Sequence, residues 1–407
     1  MLGNTRTGVF SFLFIFGLII GGCMIFPIIY LGSVASEIGW EFSEFIISYK
    51  TLSILINSIL LAVSVTTLSI LIGVPAAFLT VRTDLYARKF WTIALALPLS
   101  IPSFVGSLAI IATLAPRGSI IQNLLAPLGI DKLPSIYGWP GTILALTLFT
   151  YPYILLTTRA GLRGMDPALE ETARTLGLSI RSVIRRVTIP YTYPSIAAGC
   201  LLVSFYTLSD FGTPSLMRFN SLTRVIYIEY LSAYDRSGAS ILSFFLILVI
   251  MAILYIEYRS RSKSKYYNTG LGSSRRLPIV ELGPWKWPAQ IFCVTIISFG
   301  LIIPLGVMIY WFIRGISSGE PFPIIGELIF NTVFISGLAT LVVISSSLAV
   351  ALFIVKFPNK FSVVLERLIY LGFAMPGIVI ALSLVSFGSR YVPGLYQSLG
   401  MLVFAYT

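Results

Sequence analysis

The stretch Ser53–Val81 reads SILINSILLAVSVTTLSILIGVPAAFLTV and carries no charged side chain. A helix rises about 1.5 Å per residue, so a run of this length can cross the roughly 30 Å apolar core of a bilayer. The stretch therefore predicts a membrane-spanning helix, and it sets the fold class that the rest of the chain follows.

Similar runs recur along all 407 residues, of which 57% are hydrophobic and only 11% charged. A soluble domain carries about 25% charged residues. We expect nine spans at Val9–Leu31, Ser53–Val81, Trp91–Leu114, Tyr137–Thr158, Tyr191–Leu216, Ala239–Ile256, Ala289–Ile313, Leu328–Val355 and Ser362–Phe387. A tenth run begins near Val392 and is cut off at Thr407. The pattern predicts an all-α, polytopic transmembrane helical bundle embedded in a lipid bilayer.

The net charge of +12 does not indicate nucleic-acid binding, because the basic residues lie between apolar runs. With the N-terminus in the cytoplasm, 20 Lys and Arg fall on the cytoplasmic side and 8 on the opposite side. This is the positive-inside distribution. It predicts a multi-pass protein of a prokaryotic plasma (inner) membrane with a cytoplasmic N-terminus.

Catalytic and metal-binding chemistry finds no support in the sequence. Histidine is absent, and Cys23, Cys200 and Cys293 all lie in apolar segments without a C-x-x-C pair. No cluster of ionisable residues at one depth indicates a membrane enzyme. We therefore expect no catalytic residue, no metal and no cofactor.

An internal repeat relates the two parts of the chain at an offset of 274 residues. This offset pairs Asn57 with Asn331, Arg82 with Lys356 and Pro102 with Pro376 without a gap. We therefore expect two repeated halves, residues 1–258 and 289–407, joined by a cytoplasmic linker at 259–288. The second half stops inside its fourth span, so we expect it to be truncated and its counterpart of the 159–190 loop to lie beyond Thr407.

The loop 159–190 is far too polar to insert into lipid, and its sequence predicts two short helices. Asp166 is suited to the N-cap and Pro167 to the first helical position. Glu170 and Glu171 fall near the positive end of the helix dipole. Gly177, with a predicted positive φ, ends this helix.

The second short helix begins after Ser179 as its N-cap and is expected to end at Pro190. A connection of about thirty residues with capped helices is longer than an ordinary loop requires. We expect Ala173, Leu176 and Leu178 to be exposed and to need a partner surface, which makes the loop a docking element.

The same loop resembles the E-A-A-x3-G-x9-I-x-L-P signature of binding-protein-dependent, ATP-driven importer permeases. The matching residues are Glu171-Thr172-Ala173, Gly177 and Val187-x-Ile189-Pro190. Thr172, Val187 and Ile189 depart from the signature but are similar in size to the residues they replace. In that family the loop is a coupling helix seated in a groove of the cytoplasmic ATPase. The resemblance assigns ATPase docking to Asp166, Glu170, Glu171, Ala173, Leu176, Gly177, Leu178 and Arg181.

The resemblance implies a permease subunit served by an ABC ATPase dimer and an external substrate-binding protein. The chain lacks a G-x-x-x-x-G-K-[ST] loop, so ATP hydrolysis is expected on a separate subunit. Two fused halves of six spans characterise the ferric-iron, thiamine and phosphonate importers of this family. The stretch Leu208–Asn220, with Thr223–Tyr227 after it, is most similar to the ferric-iron branch. Thiamine and phosphonate remain the alternative substrates.

An ion-coupled secondary transporter is the competing class, but it normally places ionisable residues at mid-membrane. We expect none at the span centres, since Asp210 is predicted to reach the outer interface. There it either faces the translocation pathway or is a wetted carboxylate near Arg218 or Arg224. Pro102 and Pro376 can kink pathway-lining spans, although unspecialised helices also tolerate such prolines.

Overall fold

The computed structural model describes residues 2–37, 49–232, 237–262, 278–319 and 325–406, and these fold almost entirely into helices. In chain order they are α1 (Leu2–Glu37), α2 (Tyr49–Arg82), α3 (Arg88–Ala94), α4 (Ser103–Leu114), α5 (Ile120–Leu125), α6 (Trp139–Arg163), α7 (Pro167–Thr175), α8 (Ile180–Val183), α9 (Ile189–Ser209), α10 (Gly212–Leu216), α11 (Leu222–Ser232), α12 (Ser237–Ser262), α13 (Lys286–Ile297), α14 (Ile303–Ser317), α15 (Ile325–Lys356), α16 (Lys360–Ala374), α17 (Gly377–Tyr391) and α18 (Leu399–Tyr406).

The prediction of an all-α membrane bundle is confirmed. Within the described residues, seven helical segments are long and apolar enough to span a membrane, and a bent pair makes an eighth. Two of the nine predicted spans are interrupted at the prolines that the sequence indicated as possible kinks. Trp91–Leu114 is bent by 95° between Arg88–Ser100 and Ser103–Leu114. Ser362–Phe387 is likewise divided between α16 and α17.

Prolines cause both interruptions. Pro102 lacks an N–H group and excludes the helical conformation from the residue before it, so Ile101 is extended at φ −87° and ψ 117°. Pro376 precedes α17 with φ −63° and ψ 136°, close to the φ −56° and ψ 134° of Pro102 before α4. Arg82 and Lys356, which end α2 and α15, share the same 274-residue offset. These positions agree with the 274-residue offset, and the division into two repeated halves stays a prediction.

Contacts divide the chain into two compact units that do not follow the two halves. One unit contains residues 1–52, 225–251 and 316–407. In it α1 packs on α15, α16 and α17. Leu13, Val350, Phe353 and Leu365 form its buried core, and Gly17 allows close approach to Leu365. The helix that begins the first half is therefore packed on helices of the second half.

The other unit contains residues 53–224 and 252–315. Its most extensive contact joins α6 and α9. Gly199 lies so close to α6 that a Cβ there would come within 2.8 Å of Ile154 Cα, and small residues of this kind let membrane helices approach closely. Cys293 of α13 is buried in the same core as Trp91, Leu95 and Tyr151. The first helix of the second half is therefore packed on the first half.

The C-terminal end of the predicted linker is fixed to the turn after α2. The Val280 N–H donates to the Arg82 carbonyl at 2.7 Å, and the Leu282 N–H donates to Asp84 Oδ1 at 2.9 Å. Lys286 Nζ lies 2.6 Å from Asp84 Oδ2. These contacts fix the start of α13. Residues 263–277 lie outside the described residues, so the predicted division at 259–288 stays a prediction.

Candidate functional site

The loop between α6 and α9 contains the first of the two predicted short helices, α7. Asp166 Oδ1 accepts a hydrogen bond from the Ala168 N–H at 3.0 Å, and Pro167 occupies the first turn. Gly177 follows the helix at φ +84°, and the Leu178 N–H donates to the Ala173 carbonyl at 3.2 Å. The predicted start and stop of this helix are both confirmed.

The second short helix, α8, begins as predicted but does not end at Pro190. The Ser182 N–H donates to Ser179 Oγ at 3.4 Å, which confirms the N-cap. The chain then passes through a π-helical stretch, Ile184–Thr188, directly into α9. A π turn is wider than an α turn. Pro190 lies in the first turn of α9, and the long helix continues through it.

Burial divides the residues predicted to dock a partner into two groups. Leu176 is 79% exposed, and Asp166, Glu171, Gly177 and Arg181 are also exposed, while Leu178 is half-buried. Glu170 and Ala173 are 3% and 7% exposed. The expectation that Ala173 is exposed is therefore wrong, because this face of α7 packs inward.

Glu170 is held in a buried network that joins three elements of the protein. Arg82 Nη1 and Nη2 donate to its two carboxylate oxygens at 2.8 and 2.5 Å, and Thr188 Oγ1 donates at 2.6 Å. The side chains of Arg82 and Glu170 are only 2% and 4% exposed. Arg82 is the last residue of α2, so the network ties α7 to the ends of α2 and α9.

The charge state of this network follows from its contacts. Burial alone raises the pKa of Glu170, but hydrogen bonds from Arg82 and Thr188 and the charge of Arg82 outweigh it. The net result is a lowered pKa, so Glu170 is ionised at neutral pH. Sequence reasoning missed Arg82 and Thr188. Arg82 could have been found as a basic residue that ends a long span, because a buried carboxylate such as Glu170 needs a positively charged partner.

The hydrogen bonds of Asp210 come from Ser103 and Thr213, whereas Arg218 and Arg224 have other partners. The Ser103 hydroxyl donates to its Oδ1 at 2.8 Å, and the Thr213 N–H donates to its Oδ2 at 3.0 Å. Arg218 lies over the Tyr137 ring, with its guanidinium carbon 5.1 Å from the ring centroid. Arg224 is hydrogen-bonded to Asn220.

The residues on either side of Asp210 contact different parts of α6. The Met217 carbonyl accepts from the Gly138 N–H beside the start of α6, and Met217 comes seven residues after Asp210. One turn before Asp210, the Tyr206 ring lies 5.9 Å from the ring of Tyr153, near the middle of α6. Asp210 directly follows the candidate span Ile180–Ser209, and its place at the outer interface and the lack of ionisable groups at the span centres stay predictions.

Pro102 adjoins this cluster through Ser103, whereas Pro376 belongs to the other compact unit. Among the described residues, no group of three or more Cys, Asp or Glu side chains is arranged to hold a metal ion.

Residues 69–261 match the family of binding-protein-dependent transport system inner membrane components. Over 96% of its length, the chain is 30% identical to the Fe(3+)-transport system permease protein FbpB 2 of Haemophilus influenzae, and it covers 74% of that protein. It is 26% identical to the ferric transport system permease protein FbpB of Actinobacillus pleuropneumoniae over 81% of the chain, and covers 50% of that protein. Half of the chain is 28% identical to 93% of the Escherichia coli molybdenum transport system permease protein ModB.

Proposed function

The chain belongs to the family of binding-protein-dependent transport system inner membrane components, and from this we propose that it is the permease subunit of an ATP-driven ferric-iron importer. It contributes the membrane passage and no catalytic step. The ferric substrate is supported by its similarity to two permeases of that name. We place it in the inner membrane with a cytoplasmic N-terminus, in agreement with the positions of 20 of its 28 Lys and Arg residues.

The two-helix loop carries the assignment of a cytoplasmic ATPase partner. Leu176 is 79% exposed at the apex, directly before the left-handed Gly177. An exposed leucine on a capped, polar loop is suited to a hydrophobic groove on a partner. Glu171 and Arg181 are exposed on the same loop and form the polar surroundings of this contact.

Glu170 and Ala173 have an indirect part in this docking. Both face inward. The ion pair with Arg82 holds α7 against the end of α2, so a movement of the ATPase would be passed to a spanning helix through a buried contact. An external binding protein would deliver the substrate on the opposite side, where Leu128 is 75% exposed.

The docking assignment is tested with Leu176→Asp in the assembled transporter. This surface substitution costs the fold less than about 0.5 kcal/mol, but it places a charge in the proposed groove. We expect the ATPase to be lost on co-purification. Leu128→Asp, which changes an equally exposed leucine of another loop, is the control and should retain the ATPase. Equal retention by both variants would contradict the assignment.

The substrate is tested by uptake into proteoliposomes that contain the whole transporter. We expect ATP-dependent uptake of ferric iron, with no uptake of thiamine, phosphonate or molybdate. Uptake of thiamine without ferric iron would move the protein to the alternative substrate branch.

A further inference from the structure

The break between α3 and α4 leaves non-helical backbone inside the membrane domain. Ile101 is extended, and α4 begins at Ser103 after a 95° bend. Irregular backbone at membrane depth occurs where it is buried in protein or lines a hydrated cavity, because lipid cannot satisfy its polar groups. Ser103, the first residue after the break, directs its hydroxyl to Asp210.

Four oxygen-bearing side chains from three helices meet at this break. Ser103 Oγ lies 2.8 Å from Asp210 Oδ1. Tyr206 lies one helical turn before Asp210, and the Asp210 N–H donates to the Tyr206 carbonyl at 2.8 Å. The rings of Tyr153 and Tyr206 are 5.9 Å apart. The phenols, the hydroxyl and the carboxylate therefore form one compact set.

This set lies beside the middle of α6 and is not sealed. Tyr153 is the fifteenth of the 25 residues of α6. Tyr153, Tyr206 and Asp210 are all only partly buried, although the apolar residues packed around them, such as Val203 and Ile154, are fully buried. An ionisable residue at membrane depth is costly and usually marks a pathway or an ion site.

The electrostatics favour a cation. The hydrogen bonds to Asp210 come from neutral donors, the Ser103 hydroxyl and the Thr213 amide. When Asp210 is ionised, its carboxylate, held only by neutral groups, attracts a positive charge and repels an oxyanion. The set is therefore unsuited to binding molybdate or phosphonate anions that pass through the membrane domain.

The oxygen ligands of the set favour a metal cation over an organic cation. Carboxylate, hydroxyl and phenol oxygens are hard ligands, which suit hard, highly charged cations, and tyrosine is an established iron ligand. An organic cation such as thiamine would use the faces of the two tyrosine rings, not their hydroxyl groups.

We propose that Tyr153, Tyr206 and Asp210 form a transient coordination site for the ferric ion on its way through the permease. Ser103 positions the Asp210 carboxylate. Each phenol that binds the ion releases its proton to water, and the oxidation state of the iron does not change. This assignment rests on the proposed ferric substrate.

The test uses Tyr206→Phe and Tyr153→Phe in the whole transporter, because each change removes only a hydroxyl group. Asp210 also accepts a hydrogen bond from the Thr213 N–H at the start of α10, so its substitution would confuse folding with binding. Tyr193→Phe is the matched control, since Tyr193 lies on the same helix and is 53% exposed. Ferric nitrilotriacetate is the probe. The two readouts are ATP-dependent iron uptake and the visible charge-transfer absorption of a ferric phenolate.

We expect the wild type and Tyr193→Phe to show both uptake and the absorption band. Each site variant keeps one phenol, so it should show a weaker band and lose about tenfold or more of the uptake, as for the loss of a metal-site partner. If the wild type imports iron and the site variants keep the full uptake or the full intensity of the band, the coordination site is wrong and the proposed function stands. If the wild type imports an organic cation but no iron, the proposed substrate fails and the coordination site fails with it.

Discussion

The substitution Glu170→Gln tests the buried network that holds the docking loop. The change preserves the size of the side chain but removes its charge, and it places an amide N–H₂ group against a guanidinium donor of Arg82. The Arg82 side chain, 2% exposed, is then left without its counter-charge. Breaking one partner of a buried ion pair costs about 3–5 kcal/mol, and we expect a loss of this size in the attachment of α7 to α2.

The assay combines thermal unfolding of the purified permease with co-purification of the ATPase. Glu171→Gln is the matched control, because Glu171 is the exposed neighbour of Glu170 and undergoes the same chemical change. Its effect should stay within about 0.5 kcal/mol. We expect Glu170→Gln to lower the unfolding temperature and weaken ATPase association, with Glu171→Gln retaining the wild-type stability.

The effect of pH gives a second measurement of the same network. The pKa of Glu170 is lowered, so its stabilising contribution is complete above the pKa of an unfolded glutamate. The contribution is lost as the pH falls through the lower pKa of the folded state. The stability difference between wild type and Glu170→Gln should therefore be constant near neutral pH and shrink in acid.

Replacing both Arg82 and Glu170 separates two effects of Glu170→Gln. One is the loss of the ion pair, and the other is the burial of an unpaired Arg82 charge. Arg82→Met with Glu170→Met leaves no unpaired ion, so it should cost less than Glu170→Gln alone. Equal stability of Glu170→Gln and Glu171→Gln would refute the reasoning, because the Arg82 contact would then contribute nothing to holding α7.

Three further predictions follow from other parts of the structure. Gly177→Ala should destabilise the end of α7 by about 1–2 kcal/mol, because φ is +84°. No atom lies within 4 Å of a Cβ there, so a weaker ATPase association, measured by co-purification, would come from backbone strain and not from a steric clash within the permease. In intact cells, after replacement of the native cysteines, a membrane-impermeant thiol reagent should label a cysteine at Ser135 and leave one at Ser179 unmodified, and labelling of Ser179→Cys from outside would reverse the topology. Asp84→Asn should increase amide hydrogen exchange at the start of α13, and the control Glu281→Gln should leave it unchanged. Hydrogen bonds from the Lys286 side chain and the Leu282 N–H lower the pKa of Asp84. As acid protonates this carboxylate, the exchange rate of the wild type should therefore approach that of Asp84→Asn.

Local sequence was sufficient for the features that depend on neighbouring residues. Apolar length predicted the membrane class, and the N-caps at Asp166 and Ser179 and the left-handed Gly177 were predicted from residue type and position. These features rest on a few adjacent hydrogen bonds or on one backbone dihedral, so the local sequence determines them. The 274-residue repeat was visible because Pro102 and Pro376 act on the backbone in the same way.

Only the tertiary structure shows which residues the 159–190 loop buries and which residues surround Asp210. The sequence could not distinguish Glu170 from Glu171, since both are acidic residues in the first turns of one helix, yet only Glu170 meets Arg82, 88 residues earlier. Likewise, counting residues at helical rise placed Asp210 at the outer interface. That count could not show that the Ser103 hydroxyl, which follows the break at Pro102, meets Asp210 across 107 residues of sequence. Partners this far apart in sequence are brought together only by the packing of α2, α4, α6 and α9, and helical periodicity carries no information about which side chains then meet across those interfaces.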